Sequence, residues 1–81
     1  MKNLRKFTLT FDESKDAWSL VNDRTNRVLR NFDSKADATA GGALRRVLGE
    51  QGGSVKIQKE NGRFQEERTF PSSADPHSSV G

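Results

Sequence analysis

Eighty-one residues suffice for one small domain, and with hydrophobic residues at only 31% its core must be thin. The chain has no cysteine and a single histidine, which excludes disulfide staples, thiolate metal sites and a His-pair ligand set, so stability must come from packing or self-association. The formal charge of +3 is modest, but residues 24–46 alone carry an excess of +4 through Arg24, Arg27, Arg30, Lys35, Arg45 and Arg46.

Residues 6–11, Lys-Phe-Thr-Leu-Thr-Phe, alternate with Phe7, Leu9 and Phe11 on one face, the signature of a half-buried strand. The polar run Asp12 to Asp16 turns the chain, and Ala17 to Asn22 and Arg27 to Phe32 read as two further strands. Between them, Asp23-Arg24-Thr25-Asn26 suits a three-residue loop, Arg24 to Asn26, closed by a bulge. That register sets Trp18 opposite Phe32 and adds Leu20 and Val28 to the same face, leaving Val21 and Leu29 pointing the other way. An apolar pair on a second face is a candidate self-association contact.

Ser34-Lys35-Ala36-Asp37 has the form of a helix N-cap followed by an acid. Ala36, Ala40, Ala43, Leu44, Val47 and Leu48 then form an apolar stripe at helical spacing. Gly41 and Gly42 interrupt this helix at a cost of about 1 kcal/mol each relative to alanine. They make a bare strip with Ala38 and Arg45, a second candidate contact for another copy, unless the helix merely bends there.

Ser54 to Glu60 and Arg63 to Phe70 flank Asn61-Gly62, which predicts a two-residue type I′ hairpin. Its register pairs Glu60 with Arg63 and Lys56 with Glu67 on the solvent face. The inner face carries Val55, Ile57, Phe64 and Phe70, together with Glu66 and Arg68, which can pair with each other or with a neighbour. From Pro71 the chain loses all periodicity, so residues 71–81, His77 included, are expected to form a flexible tail behind a domain spanning residues 1–70.

The fold expected is α+β in the order β-β-β-α-β-β. An antiparallel sheet of about five strands, built of two hairpins and an N-terminal strand, carries one helix packed on one face. Its core should comprise Phe7, Leu9, Phe11, Trp18, Leu20, Val28, Phe32, Ala40, Leu44, Val47, Leu48, Val55, Ile57 and Phe64. Strand order is left open.

Trp18, the helix opening Ser34-Lys35-Ala36-Asp37-Ala38, Gly53 followed by Val55 and Ile57, Asn61-Gly62-Arg63-Phe64 and the closing Thr69-Phe70 together resemble a family of small bacterial domains known as domain of unknown function 2188. The resemblance covers roughly residues 17–76. It implies a compact α+β domain and brings no activity, cofactor or catalytic residue with it. Gly41-Gly42 and the regular first strand depart from the family's pattern.

Catalytic motifs are absent from the sequence: it has no phosphate-binding loop, GxSxG elbow, HExxH helix or nucleophilic cysteine. Asp12, Glu13 and Asp16 lie in a turn without the spacing of a calcium loop. No cofactor and no metal site are therefore expected. No run approaches the roughly 20 apolar residues that span a bilayer, and no signal core follows the basic start, so the expectation is a cytoplasmic protein with no membrane contact. The leading function is a non-enzymatic interaction module forming a homodimer through Val21, Leu29, Gly41 and Gly42. The alternative is nucleic-acid or other anion binding through Arg24, Arg27, Arg30, Arg45 and Arg46, since guanidinium groups suit phosphate.

Overall fold

The computed structural model describes residues 5–70; the tail expected at 71–81 lies outside the described residues. Five strands are present: β1 (Lys6–Asp12), β2 (Ala17–Asn22), β3 (Val28–Phe32), β4 (Gly53–Gln58) and β5 (Phe64–Phe70). Between β3 and β4 run two short helices, α1 (Lys35–Thr39) and α2 (Ala43–Leu48), and a single 3-10 turn, Gly49–Gln51.

The five strands form one sheet in the order β3-β2-β1-β4-β5. It is a mixed sheet, which corrects the fully antiparallel one expected. β1 to β3 form a meander, but β4 runs parallel to β1, with Lys6 beside Ser54 and Leu9 beside Ile57. The helical segment carries the chain from the β3 edge across one face and returns it to the end where β1 starts. β4 therefore fills the free edge of β1 in the same direction, as a crossover connection requires. Arg5 fastens this junction: its guanidinium donates to the carbonyls of Leu48 (2.6 Å) and Gly52 (2.9 Å) and sits over the Phe7 ring. It thereby satisfies carbonyls left open where the helical segment ends.

Two helices replace the single one expected. Ser34 caps α1 as its sequence indicates, its hydroxyl accepting from the Asp37 amide at 3.0 Å. Ala40 then turns extended, and Gly42 takes φ +83°, a left-handed conformation that breaks the helix. The break resets the helical phase. Ala38 is buried in place of Ala40, which is exposed, while Leu44 and Leu48 of α2 still face the sheet. The Gly41-Gly42 contact strip is corrected with it, because these residues form a turn and not a helix surface.

The core lies between the helices and the central strands. Phe7, Leu9, Leu20, Val55 and Ile57 are fully buried, and Trp18, Phe32, Ala38, Leu44 and Leu48 complete it. Trp18 sits opposite Phe32 as expected, tilts against Phe11 at 5.4 Å and lies beneath the Lys35 ammonium at 5.3 Å. Phe11 and Val47 pack at its margin.

Val28 and Phe64 do not join the core, and the reason is the same for both. In the first hairpin the Asn22 amide donates to the Arg27 carbonyl, so the loop has four residues and not three. A bulge between Leu20 and Val21 then skips Leu29 and restores the Trp18–Phe32 register. Val28 consequently pairs with Val21 on the outer face and is 46% exposed. In the second hairpin the Lys59 amide donates to the Arg63 carbonyl, giving a three-residue loop in which Gly62, but not Asn61, has positive φ. A bulge at Ile57/Gln58 leaves Gln65 unpaired, sets Phe64 opposite Gln58 on the outer face and exposes it to 61%. Lys56 still opposes Glu67, whereas the Glu60–Arg63 pairing gives way to Lys59–Arg63.

Candidate functional site

Two surfaces are left uncovered by the core. The outer sheet face is mostly Thr, Ser and charged side chains that satisfy one another. The Thr8 hydroxyl donates to Asp23 at 2.6 Å, and Lys56 reaches the same carboxylate at 3.5 Å. The Ser19 hydroxyl donates to Asn31 at 2.7 Å, and that of Ser54 to Glu67. Groups bonded in this way can be covered by another surface without orphaning a donor or acceptor. Over this face, between the turns that follow β1 and β4, lies an open hollow of about 620 Å³ walled by Thr10, Ser19, Val21, Val28 and Glu60. Val28, Leu29 and Phe64 are the exposed large hydrophobic residues among those described. Of these, Val28 and Phe64 lie on the outer face with half-buried Val21, and Leu29 is the bulge residue of the β3 edge.

The second surface is the β3 side. A cleft of about 400 Å³ separates β3 from the turn between α1 and α2, with Arg30 and Arg46 on its walls, Asp33 and Asp37 beside them and Gly41 lining the turn. The guanidinium of Arg30 stacks on the Phe32 ring at 5.7 Å. Arg45 and Arg46 share a second hollow at the far side of α2, while Arg24 and Arg27 lie at the turn leading into β3.

The structure thus brings Arg30 together with Arg46, and Arg46 with Arg45, and leaves Arg24 and Arg27 at the opposite end of β3. Among the described residues none of these five side chains lies within ion-pair distance of an acid, whereas Arg68 is paired with Glu66 at 2.7 Å. Val21 is half-buried on the outer face, and Leu29 is exposed at the β3 edge. Gly41 and Gly42 have nothing within 4 Å of an added Cβ, so a side chain there would enter open space. The exposure of Val28 and Phe64 is not legible in the sequence, because each depends on a bulge that hydrophobic alternation argues against.

The acids do not assemble into a centre. The Asp12 carboxylate accepts from the Ser14 hydroxyl (2.6 Å) and amide (3.0 Å), and these bonds hold its pKa below the ordinary value. Glu66 is held below its ordinary value by the Arg68 guanidinium and then by Gln65. Among the described residues no group of three His, Cys, Asp or Glu side chains is placed to hold a metal, and no helix is long and apolar enough to cross a membrane.

Neither the curated proteins nor the solved structures contain a match to this sequence. A family model does match it, over residues 8–70, a span that takes in all but the first two residues of β1 and the whole of β2 to β5 with the helical segment. The chain belongs to the family described as an uncharacterized protein conserved in bacteria, DUF2188.

Proposed function

We propose that the domain is a non-enzymatic interaction module that self-associates through its open sheet face. The observation that carries this reading is that two bulges, one in each hairpin, turn Val28 and Phe64 away from a thin core and onto the same uncovered face as Val21. Since β1 is the middle strand, a two-fold axis along it would lay β3 of one copy over β5 of the other, bringing Val21 and Val28 close to the second copy's Phe64. Five strands spaced about 4.8 Å apart and about 20 Å long offer roughly 480 Å² per copy. A standard interface buries about 800 Å² per partner, so the dimer is a weak one.

Light scattering coupled to size exclusion tests this. The mass should climb from 9.0 kDa toward twice that value as concentration rises into the high micromolar range. Val28→Asp with Phe64→Asp should hold it at the monomer, and because both side chains are exposed the fold should survive. A wild-type mass fixed at the monomer value up to millimolar protein removes self-association.

The second reading, nucleic-acid binding, is favoured by the five arginines that have no acid within ion-pair distance among the described residues. Titration with mixed oligonucleotides should then show affinity falling steeply with salt. No binding at low salt ends that reading.

A further inference from the structure

We propose that the open edge of β3 takes up an acidic extended peptide as a sixth strand, its carboxylates read by Arg30 and Arg46. This rests on the domain being an interaction module and is independent of its self-association through the outer face.

The geometry is that of strand addition. β3 ends the sheet, so one side of its backbone has no strand partner among the described residues, and all its residues but Phe32 are exposed. Immediately beside it runs the cleft bounded on its other side by the α1–α2 turn, about 400 Å³ in volume. An extended chain hydrogen-bonded to β3 would direct alternate side chains into that cleft, where main-chain bonds give affinity and the cleft gives specificity.

Charge selects the occupant. Arg30 sits at the middle of β3 and shares the cleft lining with Arg46, with Arg27 and Arg24 further along the edge and, among the described residues, no acid within ion-pair distance of any of them. A second copy pairing β3 against β3 antiparallel about its middle residue would set Arg30 against its own copy, so like charge opposes that occupant at the centre of the edge. Nucleic acid fits less well, since Asp33 and Asp37 line the same cleft and a continuous phosphate backbone would meet them. The aromatic rings on this side, Trp18 and Phe32, are buried and present no stacking platform. A peptide can place a carboxylate at Arg30 and a neutral or basic residue by Asp33 and Asp37, and this mixed lining fixes its register. Arginine forks suit carboxylates bidentately.

The test is amide chemical-shift mapping of the full chain with three probes: a blocked peptide of alternating Glu and Val, its Lys-for-Glu counterpart and a mixed single-stranded oligonucleotide. The expected result is that the Glu peptide shifts and slows exchange of the 28–32 amides and binds at least tenfold tighter than the Lys peptide. Arg30→Glu with Arg46→Glu should invert that preference. Equal binding of both peptides, shifts confined to β5, or binding of the oligonucleotide alone at β3 overturns the proposal. Absence of peptide binding while light scattering still shows a dimer overturns it too, and leaves the interaction-module reading standing.

Discussion

Replacing Gly53 by alanine tests the junction on which the sheet order depends. Gly53 opens β4 at φ +154°, and a Cβ built there lies 2.7 Å from Phe7 Cε2 and 2.9 Å from the Arg5 carbonyl oxygen. Neither neighbour can yield easily: Phe7 is fully buried, and Arg5 is held by its own bonds to Leu48 and Gly52. A side chain forced into a sparsely populated backbone region costs about 1–3 kcal/mol, and overpacking a core adds about 1–3 kcal/mol. The combined loss of about 2–6 kcal/mol compares with a total of roughly 4–12 kcal/mol for a chain of this length. Thermal and urea unfolding followed by circular dichroism should show a melting temperature lower by at least about 8 °C. Gly41→Ala is the control, because nothing lies within 4 Å of its Cβ and its φ is not positive. It should leave stability unchanged or raise it by up to about 1 kcal/mol. A Gly53→Ala protein melting within about 3 °C of wild type would refute the packing of β4 against Phe7.

Two further outcomes follow from the core and its margin. Trp18→Ala, which deletes a ring only 8% exposed, should cost about 3–5 kcal/mol in urea unfolding, and an unchanged midpoint would place the ring outside the core. Glu66, whose pKa Arg68 holds below the ordinary 4.5, contributes stability that is present above the ordinary carboxylate range and lost as pH falls through its folded value. Its carboxyl resonance should titrate below that of a free glutamate and move up in Arg68→Ala; an unmoved midpoint would mean that the ion pair does not exist in solution.

The central strands were legible because their apolar residues alternate with no conflicting signal. Phe7, Leu9, Trp18, Leu20, Val55 and Ile57 face the core as the period of two requires, and the Trp18–Phe32 register holds. The Ser34 cap and the Glu66–Arg68 pair were equally readable, being local. The parallel β1–β4 pairing was not, since no residue in either strand encodes which edge a returning chain will choose. Gly41-Gly42 carried the right signal, but an apolar stripe continuing on both sides made a single helix look affordable. For the five arginines, identity was readable and convergence was not: Arg30 and Arg46 line one cleft across the break between α1 and α2, which the pattern of a single helix does not place.

The bulges were the deepest omission, and they link stability to function. Burying Val28 and Phe64 would have been worth about 1.5–3 kcal/mol each, a large share of what so small a domain holds in reserve. A loop one residue off from the register expected, compensated by one skipped residue further along, forgoes that gain in both hairpins. The result leaves the Trp18–Phe32 and Lys56–Glu67 rungs intact while moving two apolar side chains to the face that the helices do not cover. The bulge at Leu29 also breaks the regularity of the β3 edge, which discourages indiscriminate strand pairing. Arg30 stands at the centre of that edge, where an acidic strand would meet complementary charge. The exposed apolar side chains are therefore placed by the two hairpins, while the five fully buried side chains of β1, β2 and β4 hold the sheet independently of them.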